Sequence, residues 1–233
     1  MTETQDLQQA MLEHLLGHPE NSVAEAIYSV LLNEIITFQI LPETKLTLSN
    51  LAKEFDVSLT PVREAINRLT DLGLLTIGEG KKAVVAGYNE QMGQNIQEFR
   101  YCLEALAAVQ ACDNADDATI RALADMVDAD NALFHQAKQE QTPEMLNRLI
   151  NEDLKFHLAL VQASGNPRLI AEYDKIYPCI VFIRQFFSPF DFQPVEFPEA
   201  HLAIPQALMT RNKQHVRGAI QLHFQALDSA KQF

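Results

Sequence analysis

Between Ser22 and Tyr88 three helical hydrophobic periods are followed by two short strand-like runs, an order that few folds accommodate. Val23, Ile27, Val30, Leu31, Ile35 and Phe38, with Glu34 among them, form the first stripe, and Pro42 is expected to end it. LSNLAKEF reads as a short second helix capped by Thr47, with Leu48, Leu51, Ala52 and Phe55 turned inward. DVS makes a corner. Ser58 is expected to cap the third helix, with Pro61 in its first turn, where a missing N–H costs little. Val62, Ala65, Ile66 and Leu69 form its apolar side, and Gly73 takes the left-handed position just past its end. LLTI and AVVA then flank the turn GEGKK. Helix, helix, helix and hairpin in that order predict a winged helix-turn-helix.

After Tyr88 no strand pattern survives. Helical segments are predicted at roughly 91–112, 117–138, 142–164, 167–187, 197–209 and 212–230, with short polar, Gly or Pro breakers between them. Short connections make neighbours antiparallel, so this half reads as an all-α antiparallel bundle. Residues 1–20 read as an amphipathic arm, with Leu7, Met11, Leu12, Leu15 and Leu16 at helical spacing before Gly17 and Pro19. The expected organisation is an arm at 1–20, a winged helix-turn-helix at 21–88 and a helical bundle at 89–233, a mainly α chain with one small β-hairpin.

Composition is ordinary for a globular chain, with 47% hydrophobic and 21% charged residues. Net charge matters more. At -13 it opposes nucleic-acid binding unless a few cations are well placed. Residues 20–88 carry six basic side chains (Lys45, Lys53, Arg63, Arg68, Lys81, Lys82) against nine acidic ones. Cys102, Cys112 and Cys179 form no CxxC pair and suit a reducing cytosol, as small apolar side chains. The first residues show no signal-peptide pattern, and no stretch approaches the roughly 18 uninterrupted apolar residues of a membrane span. A cytoplasmic protein away from the membrane is expected.

Thr60, Arg63, Glu64 and Asn67 share the side of the third helix opposite its apolar stripe. A recognition helix needs one buried side and one side offering donors to phosphates and base edges. Lys81 and Lys82 fall at the hairpin tip, where a wing touches the DNA backbone. Any exposed helix also shows a polar face, and lysines at a turn are commonly solvated.

Four residues of the bundle form a possible ligand set. Asp153 and His157 stand at i, i+4 in NEDLKFH, His201 lies in EAHLAIPQAL, and His223 in AIQLHFQAL. Histidine and carboxylate side chains from several helices are how bundles build metal sites, and this mixture suits zinc, nickel, manganese or iron. A lone helical histidine is more often a cap or half exposed. Pro205, four residues after His201, is expected to kink that helix. Arg100 can clamp a carboxylate ligand in two-pronged fashion, or pair with Glu104 one turn on.

LAKEFDVSLTPVREAINRLTDLGLL resembles the helix-turn-helix signature of the GntR family of transcriptional regulators, over about residues 22–87. The resemblance implies DNA contacts from Thr60 and Arg63, beside Ser58 and Asn67, and sets Gly80 at the glycine of the wing. Ser49 and Leu59 stand where many members carry arginine, which leaves the particular operator open. FRYCLEALAA, DLKFHLALVQASGN, EAHLAI and His223 are similar to the FCD effector domain of the FadR-like branch, and six helices fit its smaller, VanR-like subgroup. That likeness implies a divalent metal ion held by Asp153, His157, His201 and His223. Arg100 on the first bundle helix, together with such a metal, gives two cationic points for one acid, so a small organic acid anchored by Arg100 is the expected effector. A homodimer on a pseudopalindromic operator is expected, because one winged helix with so few cations makes little phosphate contact. The competing readings are a metal-dependent all-α enzyme, and a helical interaction module whose DNA-binding face has decayed.

Overall fold

The computed structural model describes residues 7–78, 82–140, 142–186 and 197–229. They fall into two units. One comprises the residues up to Gly93 together with Tyr177–Phe186, and the other Gln94–Ile176 with the described part of Phe187–Phe233.

In the first unit, α1 (Leu7–Gly17) packs on α2 (Val23–Ile36) and buries Met11, while Leu16 stays 83% exposed. A capping box starts α2. Ser22 Oγ accepts from the Glu25 N–H, and the Glu25 carboxylate accepts from the Ser22 N–H. The helix ends at Ile36, well before Pro42. Thr37 caps it, and Phe38 turns the chain with φ at 58°. This corrects the expectation that Pro42 is the stop. A bulky residue in the left-handed region is costly. Here the Phe38 ring is held edge-on to Phe182 at 5.8 Å and Phe186 at 5.0 Å.

Strand β1 (Lys45–Leu46) leads into α3 (Leu48–Glu54), which Thr47 caps through Asn50. Asp56, at φ 53°, turns the corner into α4 (Leu59–Asp71). Val62, Ala65, Ile66 and Leu69 of α4 are buried, as their spacing requires, and α4 packs on α2 and α3. Ser58 occupies the N-cap of α4, yet its hydroxyl makes no capping bond, against expectation. At the other end Leu74 N–H reaches Leu69 O, Gly73 N–H reaches Thr70 O, and Gly73 has φ +75°. That is a Schellman stop. Strands β2 (Leu75–Ile77) and β3 (Ala83–Val85) form the expected hairpin, closed by Gly78 N–H to Lys82 O. β1 joins β3 on its other edge, giving the antiparallel order β1-β3-β2. Two residues are too few for a strand pattern, so the sequence offered no sign of β1.

The second unit is built from α5 (Glu90–Asn114, from Gln94 on), α6 (Asp117–Glu140), α7 (Pro143–Ala163), α8 (Pro167–Arg184, as far as Ile176), α9 (Phe197–Met209) and α10 (Lys213–Ser229). Its core draws Ala108 and Ala111 from α5, Ile120, Leu123 and Val127 from α6, and Phe156 and Leu160 from α7. Ile204 and Leu208 of α9 and Val216 and Ile220 of α10 complete it. Each set recurs at three or four residues, the stripe a core-facing helix needs. Arg211, in the turn between α9 and α10, donates to Cys112 O and Ala115 O at the end of α5 and pairs with Asp117 at the start of α6. α9 runs through Pro205 to Met209. The ring removes the hydrogen bond to the His201 carbonyl but does not take His201 out of the core, where it is 3% exposed. Cys112 and Cys179 are buried as expected, whereas Cys102 is exposed.

Candidate functional site

Two places in the chain gather the chemistry. On α4, Thr60, Arg63, Glu64 and Asn67 are all exposed, opposite its buried stripe. Ser58 at its N-cap and Ser49 on α3 are exposed too. Because the Ser58 hydroxyl leaves the first turn uncapped, the N–H groups of α4 keep their attraction for an anion such as phosphate. Lys82 is exposed at the base of the hairpin, while Gly80 and Lys81 lie outside the described residues.

The second place is buried in the helical unit. α5 brings Arg100 and Glu104, α7 Asp153 and His157, α9 His201 and α10 His223, each no more than 3% exposed. The i, i+4 spacing sets Asp153 and His157 on one side of α7, and closure of the bundle brings the two remote histidines to them. One ligand atom from each of His157, His201 and His223 lies within 4.8 Å of the others. His157 Nε2 is 3.2 Å from His201 Nε2. Asp153 Oδ1 is 3.0 Å from His201 Nε2 and 3.6 Å from His157 Nε2. Nitrogen ligands at ~2.0–2.1 Å from one ion sit at about this mutual separation.

Glu104 organises the surroundings. Its Oε2 is 2.6 Å from His157 Nδ1, and its Oε1 accepts from Arg100 Nε at 2.6 Å and from the Tyr173 hydroxyl of α8 at 2.7 Å. Burial alone pushes the Glu104 carboxyl up, but the Arg100 charge and then His157 overcome it and hold its pKa down to about 2. An ionised Glu104 accepts a hydrogen bond from Nδ1–H of His157 and so fixes the tautomer whose Nε2, turned toward His201 and Asp153, can act as a ligand. Burial and Arg100 push His157 down, yet Glu104 and Asp153 prevail and its pKa rises. His223 is held well below its ordinary value, by burial first and then by His201 and His157, so it is neutral. Asp130 of α6 is pushed up to about 7, first by burial and then by the Asp153 carboxylate. Asp130 and Asp153 thus lie close enough for their negative charges to repel one another.

The residues fit an ion on one further count. His223 Nε2 is buried and has no hydrogen-bond partner, which costs free energy unless something else takes the lone pair. Arg100 Nη2 is likewise buried without a partner. The Arg100–Glu104 pair, one of two readings of that arginine, is formed, and it leaves this second prong uncommitted. Glu104 was legible as the glutamate of FRYCLEALAA, but only as a partner for Arg100. Tyr173 gave no sequence signal at all.

A winged helix-turn-helix in a chain with a helical bundle that buries an ionisable cluster defines a DNA-binding transcriptional regulator. Residues 23–85 match the bacterial regulatory proteins of the gntR family, and residues 95–226, more than half of the chain, match the FCD domain. The chain belongs to the GntR family and carries an FCD domain. It is 28% identical over 192 residues to the Nta operon transcriptional regulator of Aminobacter aminovorans, covering 82% of this chain and 85% of that one. It is 26% identical over 180 residues to the HTH-type transcriptional regulator McbR of Escherichia coli, covering 76% and 77%. In fold it is similar to a solved structure of E. coli McbR/YncC, with a TM-score of 0.64, 22% identity and coverage of 90% and 96%. A GntR regulator from Rhodococcus gives a TM-score of 0.66 at 18% identity, covering 91% and 97%. These comparisons set the enzyme reading aside. Among the described residues no helix is long and apolar enough to cross a membrane.

Proposed function

We propose that this regulator binds operator DNA through α4 and its wing, and that an anionic effector bound beside a divalent ion in the FCD domain controls that binding. The observation that carries the reading is the pair of buried, unpartnered groups. His223 Nε2 offers a lone pair and Arg100 Nη2 offers a donor, and neither has a protein partner. A divalent ion (zinc, nickel, manganese or iron) satisfies the first, and a small carboxylate satisfies the second. Asp153, His157, His201 and His223 are the ligands of the ion. When bound, it supplies positive charge and open coordination positions for effector oxygens.

On the DNA side, Ser49, Ser58, Thr60, Arg63, Asn67, Gly80, Lys81 and Lys82 make the contacts, in a cytoplasmic homodimer on a pseudopalindromic site. Two half-sites supply the phosphate contacts that one acidic chain lacks. The test combines elemental analysis of the purified protein, calorimetric titration of chelator-stripped protein with nickel, and mobility shift on DNA from upstream of its own gene. Binding of one equivalent of nickel that His223→Ala abolishes is expected, as is a retarded DNA complex that Arg63→Ala weakens. A folded protein that takes up no metal and melts identically with and without nickel would overturn the ion. Light scattering that gives a monomer in the DNA complex would overturn the dimer.

A further inference from the structure

The ligand cluster is sealed, since its histidines, Asp153 and Arg100 are each no more than 3% exposed. Nothing reaches His223 unless part of the wall moves. Beside it, α5 and α10 enclose a groove of about 240 Å³ lined by Gln94, Gln97, Glu98, Tyr101, Gln221, Phe224 and Gln225. One lining residue, Phe224, also touches the cluster. Its ring stands 5.2 Å from His223 at 89°, and the Arg100 guanidinium lies over it at 5.4 Å. The Tyr101 ring leans on it at 5.2 Å. Phe224 therefore borders both the open groove and the buried residues whose Nε2 and Nη2 lack partners.

We propose that the groove between α5 and α10 is the entrance by which a divalent cation reaches the histidines, and that Phe224 is the door that must swing for it to pass. This rests on the reading of the cluster as an ion site. The lining suits the passenger. Glu98 is the charged member and has the sign that attracts a cation. Amide oxygens of the glutamines are hard donors that can stand in for waters as the ion is dehydrated. A phenylalanine turns on two side-chain torsions, and motion of one ring leaves the helices in place.

The test uses chelator-treated full-length protein and two readouts. One is the stopped-flow rate of nickel uptake. The other needs no metal: the rate at which diethyl pyrocarbonate modifies His223, mapped by peptide mass spectrometry, with alkylation of buried Cys112 as the reference for general opening. Phe224→Ala should raise both His223 modification and nickel uptake by about tenfold or more relative to Cys112 alkylation. Gln221→Trp, on the exposed rim and remote from the core packing, should slow both below the parent. Equal His223 rates in the three proteins, or a rise matched by Cys112, would overturn the door whether or not metal binds. A parent that takes up no nickel while its His223 modification follows the expected order refutes the ion site and not the entrance.

Discussion

Glu104 accepts from Arg100 and Tyr173 and bonds His157, so removing it should be the most damaging single change in the helical unit. In Glu104→Leu the buried guanidinium loses its counter-charge, and the Tyr173 hydroxyl and His157 Nδ1 lose their partner. Breaking a buried ion pair from one side costs about 3–5 kcal/mol. The carboxyl's fall from an ordinary 4.5 to about 2 gives a similar figure, about 3 kcal/mol at roughly 1.4 kcal/mol per pH unit. A carboxyl depressed in the fold contributes above its unfolded value of 4.5 and stops contributing as pH falls through about 2, so the loss should be full at pH 7 and shrink below pH 4.5. Arg100→Met should cost less, because His157 already bonds Glu104 and, relieved of a neighbouring cation, holds its proton more firmly as the remaining counter-charge. The double variant should lose about 1–3 kcal/mol less than the two singles together, since neither charge is left alone. Urea unfolding of chelator-treated protein, followed by circular dichroism, measures all four corners of the cycle. Additive losses would refute the argument, for they would mean that the two side chains stabilise the bundle independently.

Other expectations are simpler. Arg63→Ala should weaken operator binding by at least ~1 kcal/mol in a mobility-shift titration with the fold intact, and unchanged binding removes it from the contact face. Lys82→Ala should lower the slope of log affinity against log salt by about 1 if its ammonium neutralises a phosphate. Nickel affinity should fall as pH drops, starting above 6.5, because His157 must lose a proton it holds more tightly than an ordinary histidine; calorimetry at pH 8, 7 and 6 reads this, and a flat profile counts against His157 as a ligand. Gly73→Ala should cost about 1–2 kcal/mol in urea unfolding, a backbone effect, since the added carbon meets only Met92 Cε at 3.7 Å.

The architecture was readable wherever a periodic stripe carried it. Val62, Ala65, Ile66 and Leu69 placed α4, and the breakers before Asp117 and after Thr142 placed the ends of α6 and α7 to within a few residues. What escaped has a physical reason in each case. The end of α2 is set by Phe38 wedged against Phe182 and Phe186, residues far along the chain. The helix through Pro205 was legible, but not where His201 ends up: burial of Ile204, Ala207 and Leu208 on both sides of the proline keeps His201 in the core. The histidines were visible as residue types, but their convergence is long-range: α7, α9 and α10 must pack before they meet. Tyr173 contributes a hydroxyl to Glu104 from 69 positions away, and no local pattern announces it.

The order of the helices along the chain has a consequence for how the protein is made. Asp153 and His157 leave the ribosome early, whereas His201 and His223 come on α9 and α10, which also carry Ile204, Leu208, Val216 and Ile220 of the core. Arg211, which ties the corner between α5 and α6, arrives between them. The nascent bundle up to α8 thus exposes the apolar sides of α5, α6 and α7, and no ion can find three histidines until translation has passed position 223. A nascent chain that stalls in the α9–α10 turn would be a client for chaperones, not a slightly shortened regulator.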